Sequence, residues 1–100
     1  MDINIFKENG YTIVKLSGRL DTTTTKKFHN DIASHIDDSL SNLEFDCTDL
    51  EYISSQGLRT FIILQKTISE KGGKMVLRNM RPPIKEVFDI TGLSSLIKIE

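Results

Sequence analysis

The order in which hydrophobic periodicity switches along this chain constrains its fold more than any other feature. Short stretches with strand-like patterning alternate with longer ones whose apolar residues recur every three or four positions. Ile3-Asn4-Ile5-Phe6 and Thr12-Ile13-Val14-Lys15-Leu16 read as strands. Asn9-Gly10 between them tolerates the positive φ of a tight turn, so the chain is expected to open with an antiparallel hairpin. Gly18-Arg19-Leu20-Asp21 breaks the strand pattern, and Asp21 or a hydroxyl from Thr22 to Thr25 stands where a helix needs its cap. Phe28, Ile32, Ile36 and Leu40 then line one stripe of a helix over 24–39, its end weakened by Asp37, Asp38 and Ser39 at the negative pole of the dipole.

Leu43, Phe45 and Cys47 alternate with Glu44 and Asp46 as a third strand. A second helix over 57–71 carries Leu58, Phe61, Ile62, Ile63, Leu64 and Ile68, an apolar surface wide enough to predict a largely buried helix, and Gly72-Gly73 stops it. Met75-Val76-Leu77 lacks alternation, as expected of a strand covered on both faces. Pro82-Pro83 opens a third helix over 82–91, with Ile84, Val87, Phe88 and Thr91 facing inward and Gly92 at its end. Leu96-Ile97-Lys98-Ile99 reads as a closing strand. The order β-β-α-β-α-β-α-β implies right-handed crossovers and a mixed sheet of four to five strands with about three helices. One α/β domain over residues 1–100 is the expectation.

Composition excludes several functions. Thirteen Lys and Arg stand against 14 Asp and Glu, for a net charge of −1, so no basic excess draws the chain to nucleic acid. The start of the chain has an acid at Asp2 and no apolar core of a signal peptide, and the longest apolar run, Phe61 to Leu64, is too short to cross a bilayer. A cytoplasmic location without membrane contact follows as the expectation. The single cysteine, Cys47, falls in an alternating apolar stretch and reads as a buried small hydrophobe.

Apparent chemical motifs dissolve on inspection. Gly72-Gly73-Lys74 has Ile68 and Met75 where a phosphate-binding loop needs glycine and Ser or Thr, and it ends a helix rather than opening one. His29 and His35 are about 600° apart on a helix, largely on opposite faces, which disfavours a shared metal. Asp46, Asp49 and Glu51 lack the spacing of a calcium loop and read as solvated loop acids. No G-x-S-x-G elbow activates a serine. The chain is therefore expected to be no enzyme, with no catalytic residue, no metal and no cofactor.

The information lies in Asp46 to Arg59. Ser54 and Ser55 stand at the opening of the second helix, where either would cap it. Gly57 in the first turn costs about 0.8–1 kcal/mol against alanine, a sign that something approaches the backbone there. Gly18-Arg19-Leu20-Asp21, followed by Asp46-x-x-x-Leu50-x-Tyr52-Ile53-Ser54-Ser55-x-Gly57-Leu58-Arg59, resembles the STAS domain of anti-sigma factor antagonists. The similarity runs over nearly the whole chain. Ser54 stands where the family often has aspartate, and Gln56 where it often has serine or alanine.

The resemblance implies a partner-switching protein. Its serine two residues before Gly-Leu, here Ser55, would be phosphorylated by an anti-sigma factor with serine kinase activity, with Ser54 as second choice. The unphosphorylated form would bind that anti-sigma factor and release a sigma factor, and a serine phosphatase would reset the switch. Asp21, Thr22, Ser54, Gln56, Gly57, Leu58 and Arg59 would form the partner face, with Leu58 and Arg59 on the exposed opening of the helix. A STAS-type regulatory or small-ligand or lipid-binding module without phosphorylation is the alternative, and a serine hydrolase a distant third.

Overall fold

The computed structural model describes residues 1–35 and 42–100. The elements are β1 (Asp2–Glu8), β2 (Tyr11–Leu20), α1 (Thr25–Ala33), β3 (Asn42–Ile53), α2 (Ser55–Glu70), β4 (Lys74–Arg78), α3 (Pro82–Ile90), a 3₁₀ turn (Leu93–Ser95) and β5 (Lys98–Ile99). They build a five-stranded sheet in sequential order, β1-β2-β3-β4-β5. β1 and β2 are antiparallel, with Glu8 opposite Tyr11, and all later pairs are parallel. Asn9 at φ 51° and Gly10 at φ 82° make the two-residue turn that right-twisted strands favour.

The core lies on one face of the sheet. Val14, Leu16, Leu43, Phe45 and Leu77 point into it and are essentially inaccessible. Phe61 of α2 packs against Phe28 of α1, Phe45 of β3 and Phe88 of α3, with ring centroids 5.4, 5.1 and 5.9 Å away. One strand residue thus shares an aromatic cluster with all three helices, which places the helices on the same side. The opposite face carries Ile13, Glu44, Val76 and Lys98 in one register row, and Lys15, Asp46 and Arg78 in the next. Arg78 donates to Glu44 at 2.7 Å on that face.

This single helical layer corrects two expectations. β4 is not covered by helices on both sides: Val76 is buried, but outside the main core cluster and flanked by Glu44 and Lys98. Nor is α2 largely buried. Leu58, Phe61, Leu64 and Ile68 face the sheet, while Ile62 and Ile63 line open clefts on either side of the helix and remain 39% and 45% exposed.

Strand limits differ too. Gly18-Arg19-Leu20 does not end β2; the pairing with β3 shifts register after Lys15 and again after Gly18, and the strand continues. These irregularities broke the alternation that the sequence displayed. Gly18 sits at φ 103°, a conformation that side-chain-bearing residues avoid, with the Met1 backbone 3.4 Å from where a Cβ would stand. β3 likewise runs on to Ile53, so Asp46, Asp49 and Glu51 are strand residues rather than loop acids. The last strand is shorter than expected, since Leu93–Ser95 forms a 3₁₀ turn and Leu96 is 62% exposed.

The helix ends follow local rules. Gly72 at φ 77° lets Gly73 N–H reach the Ile68 carbonyl at 2.9 Å, closing α2 with the paired bonds of a Schellman motif. Pro82 and Pro83 occupy the first turn of α3, and Gly92 at φ 80° follows its end. α1 ends at Ala33 with Ser34 as cap, earlier than expected, and the remaining expected helix residues, Ile36 to Ser39, with Leu40 of the same stripe, lie outside the described residues. Cys47 is fully buried, and that burial, with the charge of Asp46, pushes its thiol up to about 12.

Candidate functional site

The ends of β2 and β3 bring the expected site residues together. Leu20 pairs with Ile53 at the last rung, and Ser54 N–H extends the ladder by donating to the Leu20 carbonyl at 2.8 Å. Asp21 therefore leaves the sheet beside Ser54 and Ser55. The strand passes to the helix through Ser54 alone, so there is no serine-bearing loop.

The two serines do different things. Ser54 has an extended backbone (φ −88°, ψ 169°) and its Oγ accepts from Gly57 N–H at 3.1 Å, the bond of an N-cap. Ser55 is the first helical residue, exposed, and its hydroxyl has no hydrogen-bond partner among the described residues. Replacing Ser54 by alanine is expected to lower stability by about 1 kcal/mol, with Ser55→Ala nearly neutral; urea denaturation of both variants measures the difference. Equal losses would contradict this division of labour.

Gly57 is explained by the domain's own packing. A Cβ there would stand 2.9 Å from Ile53 Cγ1 and 3.0 Å from Leu20 Cγ and Cδ2, too close for any side chain without displacing the core. The close approach that the sequence hinted at is thus internal: α2 descends onto the last rung of β2 and β3. Gly57 is buried, and Leu58 is only 8% exposed and belongs to the core cluster. The expectation that Leu58 lies on the open end of the helix is corrected, because its position in the first turn faces the sheet. Gln56 and Arg59 are exposed on the outer side.

Asp21 organises the opposite wall. Its carboxylate accepts from Thr23 N–H at 2.9 Å and Thr23 Oγ1 at 2.7 Å, and its backbone carbonyl accepts from Thr25 N–H at 3.0 Å. The Thr23 hydroxyl, then its amide, holds the Asp21 carboxyl below the usual carboxylate range, so it is anionic at neutral pH. None of the threonine hydroxyls caps α1. Thr24 is the N-cap residue, but its oxygen turns back to accept from Asp21 N–H at 2.9 Å and donates to the Arg19 carbonyl at 2.8 Å. Side-chain bonds are spent on shaping the turn instead of the helix end.

Sequence reasoning missed Arg19 as part of this surface. Its guanidinium lies over the Tyr52 ring, 4.2 Å from the centroid, and 3.8 Å from Asp21 Oδ2. Both side chains project from the ends of neighbouring strands, on the face away from the helices. The register pairing Arg19 with Tyr52 is the signal, visible only once the strands are aligned. On the helix side, Thr22, Lys26 and His29 face Gln56, Arg59 and Ile63 across a cleft of about 340 Å³.

The described residues contain no group of three or more His, Cys, Asp or Glu side chains arranged to hold a metal ion. No described helix is long and apolar enough to cross a membrane. Among the described residues, the site offers an unbonded hydroxyl at a helix N-terminus, the anionic Asp21 at the end of the neighbouring strand, and Lys26 and Arg59 without ion-pair partners.

The family model for the STAS domain matches residues 2–100. A Paenibacillus polymyxa protein named anti-sigma F factor antagonist is 32% identical over 107 residues, covering 99% of this chain and 86% of that one. The anti-sigma-B factor antagonist of Bacillus subtilis is 29% identical over 101 residues, covering 99% and 92%. Among solved structures, the anti-sigma factor antagonist SpoIIAA in its unphosphorylated form has a TM-score of 0.84 at 17% identity, covering 99% of this chain and 88% of that chain. The Bacillus SpoIIAA in its phosphorylated form has a TM-score of 0.77 at 17% identity, covering 99% and 91%. By its matched residues, its relatives and its fold, the chain belongs to the STAS domain family, together with proteins named anti-sigma factor antagonists.

Proposed function

We propose that this protein is an anti-sigma factor antagonist whose partner binding is switched off by a phosphate on Ser55. Unphosphorylated, it captures an anti-sigma factor that is also a serine kinase and so releases a sigma factor; a serine phosphatase restores it. The observation that carries the reading is the pair of serines: Ser54 is engaged as the cap, while Ser55 offers an exposed, unbonded hydroxyl at the first position of α2. ATP and its magnesium belong to the partner kinase, and this chain performs no catalytic step. The setting is the cytoplasm.

The switch follows from where the charge arrives. A phosphate adds about −1.5 to −2 charges. At a helix N-terminus the free amides and the positive end of the dipole accept it, so the fold is unharmed. At an interface the same charge beside anionic Asp21 must be desolvated, which costs several kcal/mol when unpaired. Incubated with its cognate kinase and Mg-ATP, the protein is expected to gain one phosphate, located on Ser55 by mass spectrometry, and Ser55→Ala is expected to gain none. A phosphate found on Ser54 would overturn the assignment, and none at all would overturn the switch.

One observation favours a second reading, a small-ligand module of the same family. An apolar cleft of about 410 Å³ lies between α2 and the chain's end, lined by Ile62, Gln65, Leu96 and Ile97 among others. A thermal-shift screen with nucleotides and lipids decides whether it is occupied.

A further inference from the structure

We propose that Arg59 is the intramolecular counter-ion of a phosphate on Ser55, and that pairing with it withdraws Arg59 from the cleft between α1 and α2. The inference rests on the reading of Ser55 as acceptor given above. Arg59 follows Ser55 by four residues in α2, a spacing that sets two side chains one above the other, with Cβ atoms about 5–6 Å apart. At about 100° per residue, Arg59 stands about 40° round the helix from Ser55. The cleft-lining Ile63, Gln56 and Thr60 stand about 80°, 100° and 140° round in the same sense. The Arg59 stem therefore rises between Ser55 and the cleft, and its guanidinium reaches either.

The other helices show what is missing from α2. α1 closes an i,i+4 ion pair between Lys27 and Asp31 at 2.6 Å, and α3 one between Lys85 and Asp89 at 3.1 Å. In α2 the cation at the fourth position faces a serine, and no ion pair or hydrogen bond engages Arg59 among the described residues. Phosphorylation supplies the missing acid, and in the favourable order, with the anion on the N-terminal side of the cation. A guanidinium also matches a phosphate with two parallel N–H bonds, which a lysine does not.

Few other charges face Ser55. Asp21 is held with Arg19 at the end of β2 and would raise, not lower, the second pKa of a neighbouring phosphate. Glu51, exposed near the end of β3, acts in the same direction. Lys26 and His29 stand across the cleft on α1, beyond Arg59. Pairing with the phosphate would leave Lys26 and His29 as the cleft's remaining basic residues and withdraw the Arg59 guanidinium from any partner. Added charge and lost cation then act together on the same interface.

The test uses the full chain with phosphoserine incorporated at position 55 during translation, so that no kinase is involved. The second pKa of the phosphate is read by ³¹P NMR titration at low salt, in wild type, Arg59→Gln, Arg59→Lys and Lys26→Gln. Arg59→Gln is expected to raise it by about 0.3–0.7 units, roughly two- to fivefold in proton affinity. Arg59→Lys should recover part of the difference, and Lys26→Gln should move it by less than half as much. High salt should shrink the effect. Identical values in wild type and Arg59→Gln would overturn the proposal, as would an equal or larger shift from Lys26→Gln. Failure of the kinase to modify Ser55 is read separately by mass spectrometry and leaves this titration unaffected.

Discussion

Ser55→Glu is expected to weaken binding to the cognate anti-sigma factor by at least about tenfold, or about 1.4 kcal/mol, while leaving the fold intact. Ser55 is the first residue of α2, where a negative side chain meets the positive end of the helix dipole. Its melting temperature should therefore stay within about 2–4 °C of wild type, as for an ordinary surface change. Ser55→Ala should bind nearly as wild type, because the cap belongs to Ser54. Calorimetric titration of the three proteins against the partner separates a charge switch at an interface from a conformational one. Normal binding by phosphorylated wild type would remove Ser55 from the mechanism.

Phe61→Ala is expected to have the largest effect on stability, about 3–5 kcal/mol. Phe61 is fully buried and its ring touches those of Phe28, Phe45 and Phe88, so its removal opens a cavity where all three helices meet the sheet. For a domain of this size that loss lowers Tm by more than about 12 °C, out of a total stability of about 5–15 kcal/mol. Ile63→Ala, two positions on but 45% exposed, should cost less than about 1 kcal/mol. Urea denaturation followed by circular dichroism compares them. A loss below about 1 kcal/mol for Phe61→Ala would mean that the aromatic cluster does not hold the helices on the sheet.

Much of the region around Ser54 and Ser55 was legible as sequence because its signals are local. Ser54 and Ser55 precede an apolar helical stripe, and a helix start with two candidate hydroxyls follows from that alone. Which hydroxyl is engaged depends on backbone geometry: Ser54 keeps the extended conformation of β3, which aims its oxygen at the Gly57 amide and leaves Ser55 outward. Gly57 shows the same limit. Its helix-breaking character was visible, but its cause, Leu20 and Ile53 from two different strands, exists only after β2 and β3 have paired.

The order of elements, the opening turn and the ends of α2 and α3 were determined by the sequence itself, since each rests on the φ preference or side-chain spacing of a few adjacent residues. Asn9-Gly10, Pro82-Pro83 and Gly72-Gly73 behave as their local chemistry requires. Only the tertiary structure decided which faces are covered. Met75-Val76-Leu77 suggested a strand covered on both faces, and the broad apolar surface of α2 a largely buried helix, yet every helix packs on one face of the sheet, leaving Ile62 and Ile63 partly in solvent. The extended ends of β2 and β3 were also beyond local reading. Hydrogen bonds from a neighbouring strand carry pairing past a register shift that disrupts the apolar alternation. Those extended ends bring Asp21, Arg19 and Tyr52 up to Ser54 and Ser55, because residues more than thirty positions apart meet there only through the parallel ladder.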